Sequence, residues 1–224
     1  MRAMGKVIVI EGLDGSGKAT QTERLYQTLK SKGVDVLRVS FPDYDSPSSA
    51  LVKMYLNGEF GSAPDDVNGY AAASFYAVDR YASYKKDWGR AYADGAVILC
   101  DRYATSNAVY QMTKVDEAER EEYLRWLEDL EYNRLGIPRP DLVIYLDVPT
   151  EISQSLMSRR YDGDESKKDL HERNLSYLAK CSQSARYSAQ KLGWSVISCV
   201  KDGKMRDIDD ISREIAAMCG FAAE

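Results

Sequence analysis

Gly12-Leu13-Asp14-Gly15-Ser16-Gly17-Lys18-Ala19-Thr20 is the stretch that decides the fold. It follows the apolar run Val7-Ile8-Val9-Ile10 and precedes a long helical pattern. A buried strand, a tight Gly-rich turn and a helix start form the context of a phosphate-binding loop. The glycines let the backbone curl so that several N–H groups point inward, and the helix adds its positive N-terminal end. Lys18 brings a mobile cation to the outer phosphates of a bound nucleotide. A chance Gly-rich turn would carry the glycines without the strand, the helix and the Lys in register. The pattern G-x-x-x-x-G-K-[ST] is missed at one position: Ala19 stands where a hydroxyl usually holds Mg²⁺.

Outward from the loop, strands and helices alternate. Residues 6–11 read as a strand buried on both faces, as in a parallel sheet. A helix over 17–32 carries Leu25 and Leu29 one turn apart and stops at Gly33. Strands follow at 34–40, 96–100, 141–147 and 194–200. Helices are expected at 48–56, 64–93, 106–112, 116–132, 150–160, 170–191 and 207–218. This alternation predicts an α/β three-layer sandwich with a five-stranded parallel sheet, built as one phosphate-binding-loop domain over residues 1–224. Its ligands belong at the carboxyl ends of the strands.

Bulk properties narrow the function. A net charge of −5 argues against a nucleic-acid surface, although a local cradle can still hold a small anion. Apolar runs fall short of the roughly 20 residues a membrane span requires, and no signal peptide is expected. The four cysteines are scattered without metal-type spacing and read as reduced thiols of a cytoplasmic protein.

Four further groups carry chemistry. Asp101-Arg102 closes an apolar strand, which suits Mg²⁺ and a transferring phosphoryl group, or a structural ion pair. Asp14 lies inside the loop, where a carboxylate facing phosphates needs a cationic or hydroxyl partner; a substrate hydroxyl would supply one, and a simple turn Asp is the other reading. Tyr76 and Arg80 share a helix face at i,i+4, able to stack on a base and grip a phosphate, or to serve the core. Residues 158–170 hold Arg159 and Arg160 and read either as a mobile basic lid over ATP or as a solvated loop.

Together these residues resemble the thymidylate kinase family. The likeness runs through Gly12 to Lys18, Phe41-Pro42, Asp79-Arg80, Asp101-Arg102-Tyr103, Ser106-Asn107 and Tyr110-Gln111, in order along nearly the whole chain. It implies transfer of the γ-phosphoryl group of ATP to dTMP with Mg²⁺, by a homodimer. Gly12, Gly15, Ser16, Gly17, Lys18, Ala19, Thr20 and Arg159 would hold ATP. Lys18, Asp14, Arg102 and Arg160 would act in the transfer, with Asp101 on the metal and Asp14 near the deoxyribose 3′-hydroxyl. Tyr76 would stack on thymine where the family usually has Phe. Arg80 would meet the dTMP phosphate or base, Asn107 and Gln111 the base edge, and Tyr110 would crowd C2′. Phe41 and Pro42 would wall the acceptor site. They are followed by Asp43-Tyr44 where some members place an Arg for the dTMP phosphate, and Lys53 is the substitute. The alternatives are a deoxynucleoside kinase or another nucleotide kinase, and, outside the enzymes, a nucleotide switch.

Overall fold

The computed structural model describes residues 4–160 and 175–221. Its centre is β1 (Lys6–Gly12), whose residues from Val7 onward are buried. Val7 and Val9 enter one hydrophobic core and Ile8 and Ile10 the other, as alternation along a strand requires. A strand buried on both faces needs a helix layer on each side. Each fully buried aliphatic side chain there stabilises the fold by about 1.5–3 kcal/mol.

Four more strands complete a parallel sheet: β2 (Val36–Ser40), β3 (Val97–Asp101), β4 (Leu142–Asp147) and β5 (Ser195–Ser198), in the order β2-β3-β1-β4-β5. In this register Ile10 lies beside Asp101 and Ser40 beside Asp101 on the other side. The segments leaving β1, β2 and β3 therefore emerge together. Backbone bonds hold them there: Arg102 N donates to Ile10 O at 3.1 Å, and Phe41 N to Asp101 O at 3.1 Å.

On one face lie α1 (Lys18–Ser31) and, late in the chain, a helix over Ile208–Met218; Leu25, Leu29, Ile211 and Ile215 fill that core. The other face is covered by helices over Thr105–Tyr110, Arg120–Glu128 and Leu175–Leu192. Numbered in chain order, the helices after α1 are α2 (Ala50–Leu56), α3 (Gly69–Ser83), α4 (Gly89–Ala93), α5 (Thr105–Tyr110), α6 (Arg120–Glu128), α7 (Thr150–Arg160), α8 (Leu175–Leu192) and α9 (Ile208–Met218).

Three local expectations are corrected. The single helix over 64–93 is interrupted at both ends of α3. Pro64–Asp66 forms one 3-10 turn, the chain runs extended through Val67 and Asn68, and the Asn68 side chain accepts from Ala71 N at 2.8 Å to cap α3. At its far end α3 widens into a π turn, Tyr84–Trp88, before α4. The helix expected over 116–132 likewise ends in a π turn, Asp129–Arg134. The last strand stops at Ser198, and Val200–Lys201 and Lys204–Met205 form a short antiparallel hairpin that periodicity did not reveal. Of the lid expected over 158–170, residues 158–160 end the helix Thr150–Arg160, while the remainder and the side chains of Arg159 and Arg160 lie outside the described residues. All four thiols are free, as expected, and burial pushes their pKa values up.

Candidate active site

Above the carboxyl ends of β1, β2 and β3 opens a cavity of about 390 Å³. The loop after β1 forms its floor through Asp14, Gly15, Gly17, Lys18 and Ala19. Gly17 ends that loop at φ 88, a left-handed conformation costly for any residue with a Cβ, and α1 starts immediately after it. Gly12 is required for space, since a Cβ there would lie 2.6 Å from Ser16 Oγ. Lys18 is nearly buried, and its Nζ donates to Leu13 O at 2.9 Å across the loop, 3.9 Å from Asp14 Oδ1.

Arg102 is the hub of the site. It sits at φ 66, a backbone conformation that costs a non-glycine residue about 1–2 kcal/mol. Its Nη2 donates to Asp14 Oδ1 at 2.5 Å and to Tyr110 Oη at 3.0 Å; its Nη1 lies 3.5 Å from Gly12 O and 3.6 Å from Glu11 Oε1. The guanidinium also stacks 4.9 Å from the Tyr110 ring centroid. Tyr110 in turn donates to Asp14 Oδ2 at 3.2 Å. Burial would push the Asp14 carboxyl up, but Arg102 and Lys18 hold it at about 2. Burial pulls Lys18 down, helped by the Arg102 charge and opposed by Asp14 and Asp101. Asp14's need for a cationic or hydroxyl partner is thus met inside the protein, and the charge argument no longer requires a substrate hydroxyl.

Asp101 also lines the cavity, and among the described residues its carboxylate has no hydrogen bond or ion pair. A hard cation such as Mg²⁺ binds one or two carboxylates together with phosphate and water oxygens. This single available carboxylate beside the loop fits that donor set. No group of three metal-ligating side chains occurs among the described residues. Thr20, one residue past Ala19, is exposed and outside the cavity lining, so it does not replace the missing hydroxyl.

The opposite wall comes from α3, α5 and the 3-10 turn Gln111–Lys114 that follows it. Tyr76, Arg80, Asn107, Tyr110 and Gln111 line it, with Phe41 and Pro42 at one side. Arg80 is fully buried, and its Nε and Nη2 grip both oxygens of Glu131, which is also fully buried. Burial would lower the Arg80 pKa, yet Glu131 raises it above its ordinary value. Asn107 Nδ2 donates to Ala73 O at 3.2 Å and to Glu131 Oε1 at 3.4 Å. Gln111 Oε1 is buried and has no hydrogen-bond partner among the described residues. Gly69 lets α3 close on this wall, because a Cβ there would meet Gln111 O at 2.7 Å. Behind Tyr76 stands Tyr55, edge-on at 6.4 Å, whose hydroxyl lies 2.6 Å from Lys114 Nζ. Lys114 also donates to Val67 O at 3.0 Å, and burial lowers its pKa to about 8.

Of the other expected residues, Gly12 and Ser16 are buried and outside the lining, and Lys53 lies exposed with its Nζ on Tyr44 O at 2.8 Å. The described cations of the lining are Lys18, Arg80 and Arg102. Three carboxylates matter that sequence reasoning gave no role. Glu11 is fully buried and accepts from Thr105 Oγ1 at 2.9 Å, Ser106 Oγ at 2.8 Å and Gly12 N at 3.0 Å, tying β1 to the start of α5. Its signal was a charge inside an otherwise apolar strand. Asp79 accepts from Asp43 N at 2.9 Å and Ser48 Oγ at 2.6 Å, fixing the segment that carries Pro42 and Tyr44. Glu131 is the third.

Known proteins resemble this chain along most of its length. A sequence profile described as "Thymidylate kinase" matches residues 10–204. A thymidylate kinase of Mycobacterium tuberculosis is 33% identical over 201 residues, covering 88% of this chain and 92% of that one. A probable thymidylate kinase of Pyrococcus horikoshii is 30% identical over 214 residues, covering 96% and 95%. The solved thymidylate kinase of Candida albicans superposes with a TM-score of 0.71 at 21% identity, covering 98% of this chain and 93% of that one, which shows the shared fold.

Proposed function

The chain belongs to the thymidylate kinase family, and on that premise we propose that the cavity is where the γ-phosphoryl group of ATP passes to dTMP, giving dTDP and ADP. The observation that carries this reading is one cavity with two chemically distinct walls. A phosphate-binding loop with Lys18 faces Tyr76 and the buried Arg80, Asn107 and Gln111. A nucleotide switch has use for the first wall and none for the second.

The reaction asks mainly for alignment of two anions and neutralisation of their repulsion, since the dTMP phosphate is already a nucleophile. The loop N–H groups of Gly15 to Thr20, with Gly12 and Ser16 supporting, hold the ATP phosphates. Lys18 and Arg102 meet the charge that spreads over the transferring group. Asp14 and Tyr110 keep Arg102 aimed, and Asp14 remains the candidate for the deoxyribose hydroxyl. Mg²⁺, held by Asp101, phosphates and water, would neutralise the donor phosphates. Tyr76 stacks on the base, while Arg80, Asn107 and Gln111 read its edge; Phe41 and Pro42 bound the acceptor. Arg159 and Arg160 on the lid side complete the donor site in this proposal, and Lys53 is a peripheral cation for the acceptor phosphate.

The same proposal includes one domain, a homodimer and a cytoplasmic location. Tyr70, Val78 and Tyr81 form an exposed stripe along α3, which supports contact between two copies. No helix among the described residues is long and apolar enough to cross a membrane. A coupled ADP-release assay across dTMP, dUMP, dCMP, dGMP and thymidine tests the activity. dTMP is expected to give the highest kcat/KM; preference for thymidine would move the reading to a nucleoside kinase.

A further inference from the structure

Two acceptor-wall residues converge on a third that is buried outside the cavity lining. Glu131 sits in the π turn Asp129–Arg134, a local widening of the kind that often marks a functional position. Its two oxygens hold the Nε and Nη2 edge of Arg80, and Oε1 also accepts from Asn107 Nδ2. All three side chains are at most 2% exposed.

This arrangement determines what the wall offers a base. A carboxylate and the Ala73 carbonyl can only accept, so the Asn107 amide nitrogen must face both. Asn107 is left with its Oδ1, an acceptor, for the cavity it lines. Arg80 can only donate, and the side-on grip leaves its Nη1 hydrogens unengaged by Glu131. A wall with a donor beside an acceptor matches a base edge that carries a carbonyl next to a ring N–H. It mismatches an edge that carries an amino group next to a bare ring nitrogen. The first edge is that of thymine or uracil, the second that of cytosine. Inverting the amide would reverse the match at Asn107; the Ala73 carbonyl and the Glu131 charge both oppose inversion, and Glu131 is the one of the two that also holds Arg80.

We propose that Glu131 is a specificity-determining positioning residue: by holding Arg80 and Asn107 together it fixes the donor–acceptor order that selects a keto pyrimidine over an amino pyrimidine. The inference rests on the acceptor-site reading above and deepens it.

The test measures Kd for dTMP and dCMP by calorimetry, together with steady-state KM values, on wild type, Glu131→Asp and Glu131→Gln. Glu131→Asp keeps the charge that compensates Arg80 and withdraws the oxygen from Asn107. Glu131→Gln keeps the length and offers an amide in place of the charge. Both are expected to lower the dTMP-over-dCMP binding ratio about tenfold or more, while KM for ATP stays within twofold. If Glu131→Gln does not fold, Glu131→Asp carries the comparison. A wild-type ratio in either folded variant overturns the proposal. So does an equal rise in KM for ATP and dTMP, which is the signature of a merely structural role, or failure of both variants to fold. Selective binding of dTMP by wild type without phosphoryl transfer would instead remove the kinase reading and leave the role of Glu131 standing.

Discussion

Replacing Arg102 by Met removes the hub while keeping side-chain length and the cost of φ 66, so that cost cancels in the comparison. Two losses follow. The first is catalytic: Arg102 is a preorganised donor aimed into the cavity, and removing one such donor costs about 3 kcal/mol, or roughly 10²-fold in kcat/KM. The second is in stability and carries a pH signature. Asp14 is held at about 2 in the folded state against an ordinary 3.8, worth about 2 kcal/mol at neutral pH. A carboxyl depressed on folding stabilises above its unfolded pKa and loses that contribution as pH falls through the folded one. About half is therefore gone by pH 3. Arg102 is the foremost of the charges that depress Asp14, so the variant should be about 2 kcal/mol less stable at pH 7 and about 1 kcal/mol less stable at pH 3. Urea unfolding at the two pH values and coupled ADP release at neutral pH make the measurement. Turnover within threefold of wild type, or a stability difference that does not shrink in acid, would refute the hub.

Asp79→Ala releases Asp43 N and Ser48 Oγ, and should cost about 1–3 kcal/mol in stability while raising KM for dTMP more than KM for ATP; differential scanning fluorimetry and steady-state kinetics check both. Gln111→Met removes a buried acceptor that has no partner among the described residues, so the melting temperature should hold or rise while KM for dTMP climbs several-fold. Lys114 releases its proton near 8 when folded and near 10.5 when unfolded. Between these values the unfolded chain holds a proton at Lys114 that the folded chain has lost, so this residue's contribution to stability should rise with pH by up to about 1.4 kcal/mol per unit. The buried thiols oppose this over the same range, so urea titrations at pH 7.5, 8.5 and 9.5 should show the stability difference, wild type minus Lys114→Met, rising with pH; a constant difference would refute it.

Much of this was legible in the chain, for definite reasons. The first strand, the loop and α1 are local: apolar alternation, glycines and a Lys in register dictate them wherever the rest of the chain goes. Asp101-Arg102 was legible because it ends an apolar strand, and parallel strand ends meet at one edge of the sheet. The partners were not legible. Arg80 and Glu131 are 51 positions apart, and nothing at either position announces the other. Glu11 stood in plain view as a charge within a buried strand, but its meaning depends on Thr105 and Ser106 arriving above it. Asp14 shows the limit from the other side. The requirement for a compensating partner was sound, while its source, Arg102 and Tyr110, came from tertiary structure. The break before α3 was missed because Pro64 is a good helix start, and Asn68, a better cap four residues later, was passed over.

Direct observation of the product bears most closely on the central claim. Purified protein is incubated with Mg²⁺, dTMP and ATP labelled in the γ-phosphoryl group, and the nucleotides are separated. The account predicts label in dTDP at the rate of ADP formation, with at least 10²-fold less in Lys18→Ala and Arg102→Met. ADP formed at the same rate with and without dTMP, its label appearing only as inorganic phosphate, would contradict it.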